Sequence, residues 1–347
     1  MNLKPTRTTI KEVAAAAGVS TMTVSRVLND RPDVSAETRK RVKQIIDEME
    51  YQPSALARSL IQQRSYTLGV VTAGLKHIGP SRMLNGITQI AEEAGYSLLL
   101  KELSHYHMRE TNPIFQELLS RHVDGILWAV PEIGDNHEWI NQLTLPLETP
   151  VVFLTMEPRE NLTTVSVDNY QGGRLIMAHL LEQGYQHIGH ISGPLDWWES
   201  RQRMAAWRDA LVENGCPIKD EYWAEGNWSP TSGAEAAEKL FVQYPDMDAI
   251  FVGNDQMALS VLYIAHKRGY SMPDTLGVAG FDNIPEAAYF YPPLTTVQQA
   301  QYEVARVAMQ EMIQAIEAGW QGEEPPSSQA LMISPTLVTR ESTLRKP

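Results

Sequence analysis

The stretch Thr9-Ile-Lys-Glu-Val-Ala-Ala-Ala-Ala-Gly-Val-Ser-Thr-Met-Thr-Val-Ser-Arg-Val-Leu-Asn29 decides how the start of this chain folds. Thr9 is a good helix cap, the Ala-rich run to Ala17 favours helix, and Gly18 stops it. Ser20 caps a second helix over Thr21–Leu28. A turn of three to four residues containing Gly is what a helix-turn-helix requires. Val13, Ala17, Val24 and Leu28 are the apolar positions that close a small core between the two helices. The residues left outward on the second helix are Thr21, Met22, Thr23, Ser25, Arg26 and Asn29. Arg26 can make a bidentate contact to guanine, and small hydroxyl residues suit phosphates or base edges. Ser35 caps a third helix running to about Met49, with Val42, Ile45, Ile46 and Met49 at core spacing.

Charge distribution agrees with an anionic partner at this end only. Residues 1–65 hold eleven Lys or Arg against seven Asp or Glu, a net +4. The remainder is strongly acidic, so the whole chain carries −13. A basic module on an acidic body is the footprint of a nucleic-acid reader. The 347 residues exceed one small domain. No apolar run approaches the roughly 20 residues of a membrane-spanning helix. No signal peptide is visible, so a cytoplasmic location is expected, with no membrane partner. The single cysteine, Cys216, rules out an intrachain disulfide and thiolate-rich metal sites.

Thr9–Asn29, together with Val34-Ser-Ala-Glu-Thr-Arg-Lys-Arg-Val42, closely resembles the headpiece of the lactose-repressor (LacI/GalR) family. The resemblance continues through the whole chain. It implies an α/β protein in three parts. Residues 1–50 form an all-α helix-turn-helix headpiece. Residues 51–66 form a hinge helix or linker, and residues 67–347 form a two-lobed, periplasmic-binding-protein-like effector and dimerisation domain. It implies DNA contacts by Thr9, Ser20, Thr21, Met22, Thr23, Ser25, Arg26, Asn29 and Ser35. In the hinge, Pro53 ends the third helix and Ser54 can cap a short new one. There the resemblance implies that Ala57 and Leu60 reach DNA, with Leu60 wedging into the minor groove beside its dimer mate.

From Tyr66 onward strands and helices alternate, which means parallel, helix-covered sheets. Strands are expected at Thr67–Ala73, Ser97–Leu100, Gly125–Val130, Val151–Thr155, His187–Ser192, Ala249–Val252 and Leu276–Phe281. The pattern restarts after Asp168-Asn-Tyr-Gln-Gly-Gly173, which suggests two sheets in tandem with a cleft between them. In open α/β sheets ligands sit beyond the carboxyl ends of the strands. Those ends carry Asp, Asn, Arg and Trp, a mixture suited to vicinal hydroxyls and to the flat faces of sugar rings. The candidate ligand contacts are Ser81, Trp128, Trp197, Trp198, Arg203, Trp228, Asn254 and Asp282. The resemblance places Arg203 at a pocket arginine. It puts Asn254 at the head of an Asn-Asp-Gln-Met-Ala motif, Asp282 at the end of a Gly-Phe-Asp strand, and Trp228 at a stacking tryptophan. Ala129 and Thr155 depart from polar contacts of the family's founding member, so a carbohydrate is implied without implying a galactoside.

The expected function is a ligand-responsive regulator, a repressor, that binds a palindromic operator as a homodimer. A mono- or disaccharide in the cleft would control DNA affinity allosterically. The segments Gly79–Gly86 and Ile284–Pro293 match interface regions of the family, and two half-sites need two headpieces. No leucine-heptad tail follows Leu344, so a dimer is expected over a tetramer. A transport receptor would lack the basic headpiece. An enzyme would need chemistry that is absent here: there is no Gly-rich phosphate loop and no Gly-x-Ser-x-Gly elbow. His105 and His107 are spaced for a solvated loop, so neither a metal nor a cofactor is expected.

Overall fold

A computed structural model describes residues 8–28, 30–51, 64–104, 106, 111–142 and 149–345. The chain divides into two compact units, Met1–Tyr66 and Thr67–Pro347.

In the first unit α1 spans Ile10–Ala17, α2 Thr21–Leu28 and α3 Ala36–Glu48. Each start is capped as the residue types dictate. Thr9 and Glu12 form a reciprocal capping box, and Gly18 ends α1 in the left-handed conformation at φ +64°. The Ser20 hydroxyl accepts from the Thr23 N–H at 3.1 Å, and Ser35 accepts from the Thr38 N–H. Val13, Ala14, Ala17, Val24, Val27 and Val42 form the buried centre. Val27 occupies the place expected for Leu28, which packs half-buried at its edge. Asn29, Ala57 and Leu60 lie outside the described residues, as do His105 and His107.

The second unit begins as strand–helix alternation: β1 (Thr67–Ala73), α4 (Ile78–Glu93), β2 (Ser97–Leu103), α5 (Asn112–Ser120), β3 (Gly125–Ala129), β4 (Val151–Leu154) and β5 (Thr163–Val167). The chain then crosses to a second lobe. That lobe holds α6 (Asn169–Glu182), β6 (Ile188–Ser192), α7 (Trp198–Glu213), β7 (Trp223–Glu225), α8 (Pro230–Gln243), β8 (Ala249–Val252), α9 (Asp255–Lys267), β9 (Gly277–Phe281) and β10 (Thr295–Gln298). It returns to the first lobe with α10 (Gln301–Gln321) and β11 (Ala330–Ile333), and crosses a third time to β12 (Thr336–Val338). The first sheet has the order β11-β5-β4-β3-β1-β2 and the second β12-β10-β9-β8-β6-β7. All pairings are parallel except β10 with β12.

Both sheets are covered on two faces, which is why their strands read as continuous apolar runs. In the first lobe, α4 and α10 cover one face over Leu68, Val70, Leu127 and Val152. The two helices approach so closely that a Cβ on Gly86 would lie 2.9 Å from the Ala305 Cβ. In the second lobe, α6 and α7 bury Ile176, Trp207 and Phe251, while α8 and α9 bury Leu240, Val261 and Ile250. The tandem-sheet expectation holds, but the chain makes three crossings instead of one.

Candidate functional site

In the first unit α2 presents Thr21, Met22 and Arg26 on one exposed face, with Thr23 and Ser25 half-buried beside them. Met22 is 63% exposed. Arg26 is paired at 3.2 Å with Asp33, and both side chains remain about half exposed. Such a pair is worth little in water and is readily exchanged for another anion. Thr9, Ser20 and Ser35 spend their hydroxyls on helix starts, where the adjoining N–H groups and the helix dipole favour an anion.

In the second unit a cleft between the lobes, open in part to solvent, offers about 730 Å³ free of protein atoms. Trp197, Trp198, Arg203, Trp228, Asn254 and Asp282 all line it. Arg203, only 5% exposed, donates from Nε to Asn169 Oδ1 at 2.9 Å and from Nη1 to the Gly253 carbonyl at 2.6 Å. Its guanidinium lies 3.7 Å from the Phe281 ring centre and 5.5 Å from that of Trp228. Asn254 caps α9, accepting from the Met257 N–H at 2.9 Å and donating to the Trp228 carbonyl at 3.0 Å. That bond holds Trp228 in place over Gly193, where a Cβ would strike the indole at 2.0 Å. Trp197 meets Trp228 edge-on at 5.8 Å. Asp282 accepts from Gln299 Nε2, and burial raises its carboxyl pKa against the opposing pull of Arg203. Three non-glycine cleft residues have positive φ: Thr155 at +58°, Trp228 at +71° and Asp282 at +118°. Strain of this kind persists only where the surroundings over-determine it, and it clusters at ligand sites.

Two expected contacts lie elsewhere. Trp128, 3% exposed, faces the α5 side of its sheet. It stacks on Phe115 at 5.4 Å and meets Trp139 at 4.7 Å. The strand alternation that turns Leu127 and Ala129 toward α4 and α10 turns Trp128 the other way. Ser81 donates to the Leu75 carbonyl and lines a neighbouring shallow groove with Arg82 and Asn85, not the cleft. The sequence reading missed Asn169, Gln299 and Gln301, which sit at the crossings between lobes, and Glu199, one residue into α7. Only the adjacent Trp197-Trp198 pair hinted at Glu199.

The lobes are joined at the rim. The Trp198 N–H donates to the Glu132 carbonyl at 3.1 Å, and the Gly134 N–H donates to the Asp196 carbonyl at 2.8 Å. The Glu132 carboxylate lies near Arg159 at 2.9 Å, His137 at 3.5 Å and Arg201 at 3.8 Å. Arg82 of the first lobe donates to the Asp282 carbonyl at 2.8 Å.

Burial pushes the carboxyl of Asp255, behind the cleft, up to about 8, and that of Glu199, on the cleft lining, up to about 7. Burial also lowers His190 to about 3. Raised acids in the folded state stabilise at low pH, and that stability is lost between the unfolded pKa and the folded one. A lowered histidine does the reverse, costing stability as pH falls below its unfolded value. Above about pH 4.5 the losses from the two acids outweigh the gain from the one histidine, so the contribution of these groups to the stability of the body is expected to be greatest near about pH 4. It should fall toward pH 8 at up to about 1.4 kcal/mol per pH unit for each titrating acid. Asp255 accepts from Thr296 Oγ1 at 2.6 Å and from the Ile284 N–H at 2.9 Å. An Asn can keep the Ile284 bond with its oxygen and donate its amide to Thr296 Oγ1 in place of the other, so Asp255→Asn should flatten the alkaline fall in urea titrations from pH 6.5 to 8. An unchanged slope would remove Asp255 as its source.

A helix-turn-helix with an exposed, polar second helix, followed by a two-lobed α/β domain around a polar and aromatic cleft, defines a class: ligand-responsive DNA-binding transcriptional regulators. Residues 9–54 match the model for bacterial regulatory proteins of the lacI family, and residues 177–343 match a periplasmic binding protein-like domain. The HTH-type transcriptional regulator AscG of Escherichia coli K12 is 36% identical over 317 residues, 89% of this chain and 90% of that one. The HTH-type transcriptional repressor PurR of Erwinia tasmaniensis is 32% identical over 341 residues, 98% of each. The lac repressor dimer bound to operator and the anti-inducer ONPF superposes with a TM-score of 0.85 at 27% identity, covering 98% of this chain and 100% of that one. The CelR–cellobiose complex gives 0.70 at 28% identity, covering 97% and 100%. The chain belongs to the lacI family of transcriptional regulators, which is not a family of enzymes. Among the described residues no helix is long and apolar enough to cross a membrane.

Proposed function

We propose that the protein is a repressor that binds a palindromic operator as a homodimer and is controlled by a small carbohydrate in the interlobe cleft. One observation carries the carbohydrate reading. Trp198 Nε1, Trp228 Nε1, Glu199 Oε2 and Gln301 Oε1 are buried along the cleft with no hydrogen-bond partner among the described residues. Buried polar atoms are rarely left unmet. Two donors and two acceptors among aromatic faces suit hydroxyl groups, each of which donates and accepts. The relative solved with cellobiose supports this class of ligand. The dimer is supported by Tyr289 and Tyr291, 88% and 85% exposed on the Ile284–Pro293 segment, and by the dimeric lac repressor. Apolar surface of that size asks for a cover.

A thermal-shift screen of mono- and disaccharides, with nucleosides and nucleobases as the contrasting class, tests the ligand. Stabilisation by a nucleobase alone would overturn the carbohydrate reading and leave the DNA reading intact. For the hinge, Leu60→Ala is expected to weaken binding to a selected operator by on the order of tenfold or more, with sugar affinity unchanged. An unaltered band-shift titration would remove the wedge role.

A further inference from the structure

We propose that Glu199 is a built-in anion that fills the cleft's own anion seat, so that the site takes uncharged polyhydroxy ligands and turns away phosphorylated or acidic ones. The inference rests on the carbohydrate reading and narrows it.

The N-terminal turn of α7 opens on the cleft, and Arg203 follows one turn later on the same helix. Backbone N–H groups at a helix start beside a guanidinium are an arrangement that binds phosphate well. Here the protein supplies the negative charge itself. The Glu199 carboxylate is steadied by its own backbone N–H and attracted by Arg203. Its Oε2 is buried without a partner, on a residue that lines the cleft.

The charge balance points the same way. Arg203 is the one Lys or Arg among the described residues lining the cleft, against two acids, Glu199 and Asp282. Arg203 is already committed to Asn169, to the Gly253 carbonyl and to the Phe281 face. His77, which also lines the cleft, is held toward its neutral form by burial and by Lys76. An incoming phosphate would meet no unspent cation and would sit against a buried carboxyl. A ligand hydroxyl, in contrast, donates to Oε2 and completes it. Burial that pushes the carboxyl upward makes the same group able to donate to a ring or hydroxyl oxygen when protonated.

The test is thermal denaturation of the full chain and of Glu199→Gln, Glu199→Lys and Glu199→Ala. The probes are inorganic phosphate, glucose 6-phosphate, and neutral glucose and cellobiose. The wild type is expected to gain nothing from either phosphate compound. Glu199→Lys should gain a phosphate-dependent rise in Tm, and Glu199→Gln, which keeps the size of the side chain, a smaller rise in the same direction. Whichever neutral sugar stabilises the wild type should bind Glu199→Ala on the order of tenfold more weakly. Phosphate stabilising the wild type as much as the variants would overturn the proposal, as would neither variant gaining. If no neutral sugar stabilises the wild type, the carbohydrate reading fails on its own, and the phosphate comparison still decides the role of Glu199.

Discussion

Arg203→Ala is expected to abolish the effector response: ligand affinity should fall by on the order of a hundredfold, and DNA binding should become indifferent to ligand. The same change should cost about 3–5 kcal/mol of body stability, because it strips the cation from buried acids. Arg203 is the neighbour that offsets burial for both Asp282 and Glu199. It also bonds Asn169, at the first crossing between lobes, to the second-lobe carbonyl of Gly253. Its loss thus leaves two buried carboxyls without the charge that offsets their burial and unties the crossing. The damage should be greater at pH 8 than at pH 6, since the stranded acids can protonate at the lower pH. Urea titration at both values, with calorimetric titration of the stabilising ligand, checks this. Reduced stability with unaltered ligand affinity would make Arg203 a purely structural residue.

Trp207→Ala should cost about 3–5 kcal/mol, the range for deleting a large buried aromatic. Trp207 is fully buried at the centre of the second lobe. Its indole N–H donates to the Ile188 carbonyl at 3.0 Å, and its ring stacks on His190 at 5.6 Å. His190 bonds through Nδ1 to the Phe251 carbonyl, so these side chains tie α7 to β6 and β8. Removing the indole opens a cavity against a buried imidazole and leaves the Ile188 carbonyl short of a donor. The expected signature is a lower urea midpoint for the body, with the headpiece transition unmoved. Trp207→Phe should recover most of the packing but not the hydrogen bond, leaving a deficit of about 1 kcal/mol. A loss below about 1 kcal/mol in Trp207→Ala would show that the lobe collapses around the gap.

Much of the cleft was legible because its residues end strands or start helices. Asn254 follows β8 and caps α9; Asp282 follows β9; Trp197 and Trp198 stand where α7 begins. Such positions are marked by local chemistry, as a cap, a strand end or a turn. Trp128 was misplaced because it lies inside a strand buried on both faces. With apolar residues on either side, Ile126–Val130 carries no polar alternation to show which way each side chain points. Ser81 was misplaced for another reason: it lies inside the first turn of α4, which begins at Ile78, and its hydroxyl turns back to Leu75.

The helix-turn-helix is the part the sequence determined by itself. Its helices are short, its caps are local, and its core is made by residues close in the chain, so Thr9, Gly18, Ser20 and Ser35 are enough to place them. The effector cleft was decided by the tertiary structure. The chain crosses between lobes three times, and the crossings bring Asn169, Gln299 and Gln301 to the ligand space from positions up to 132 residues apart. Helix α10 carries an ordinary apolar face, and nothing local says that it packs under the first sheet and not the second. That choice depends on which surface remains uncovered once both lobes have formed. Glu199 makes the same point at the scale of one side chain. As a residue type in a first helical turn it is an ordinary surface acid; its Oε2 is buried without a partner because the first-lobe rim packs against the start of α7.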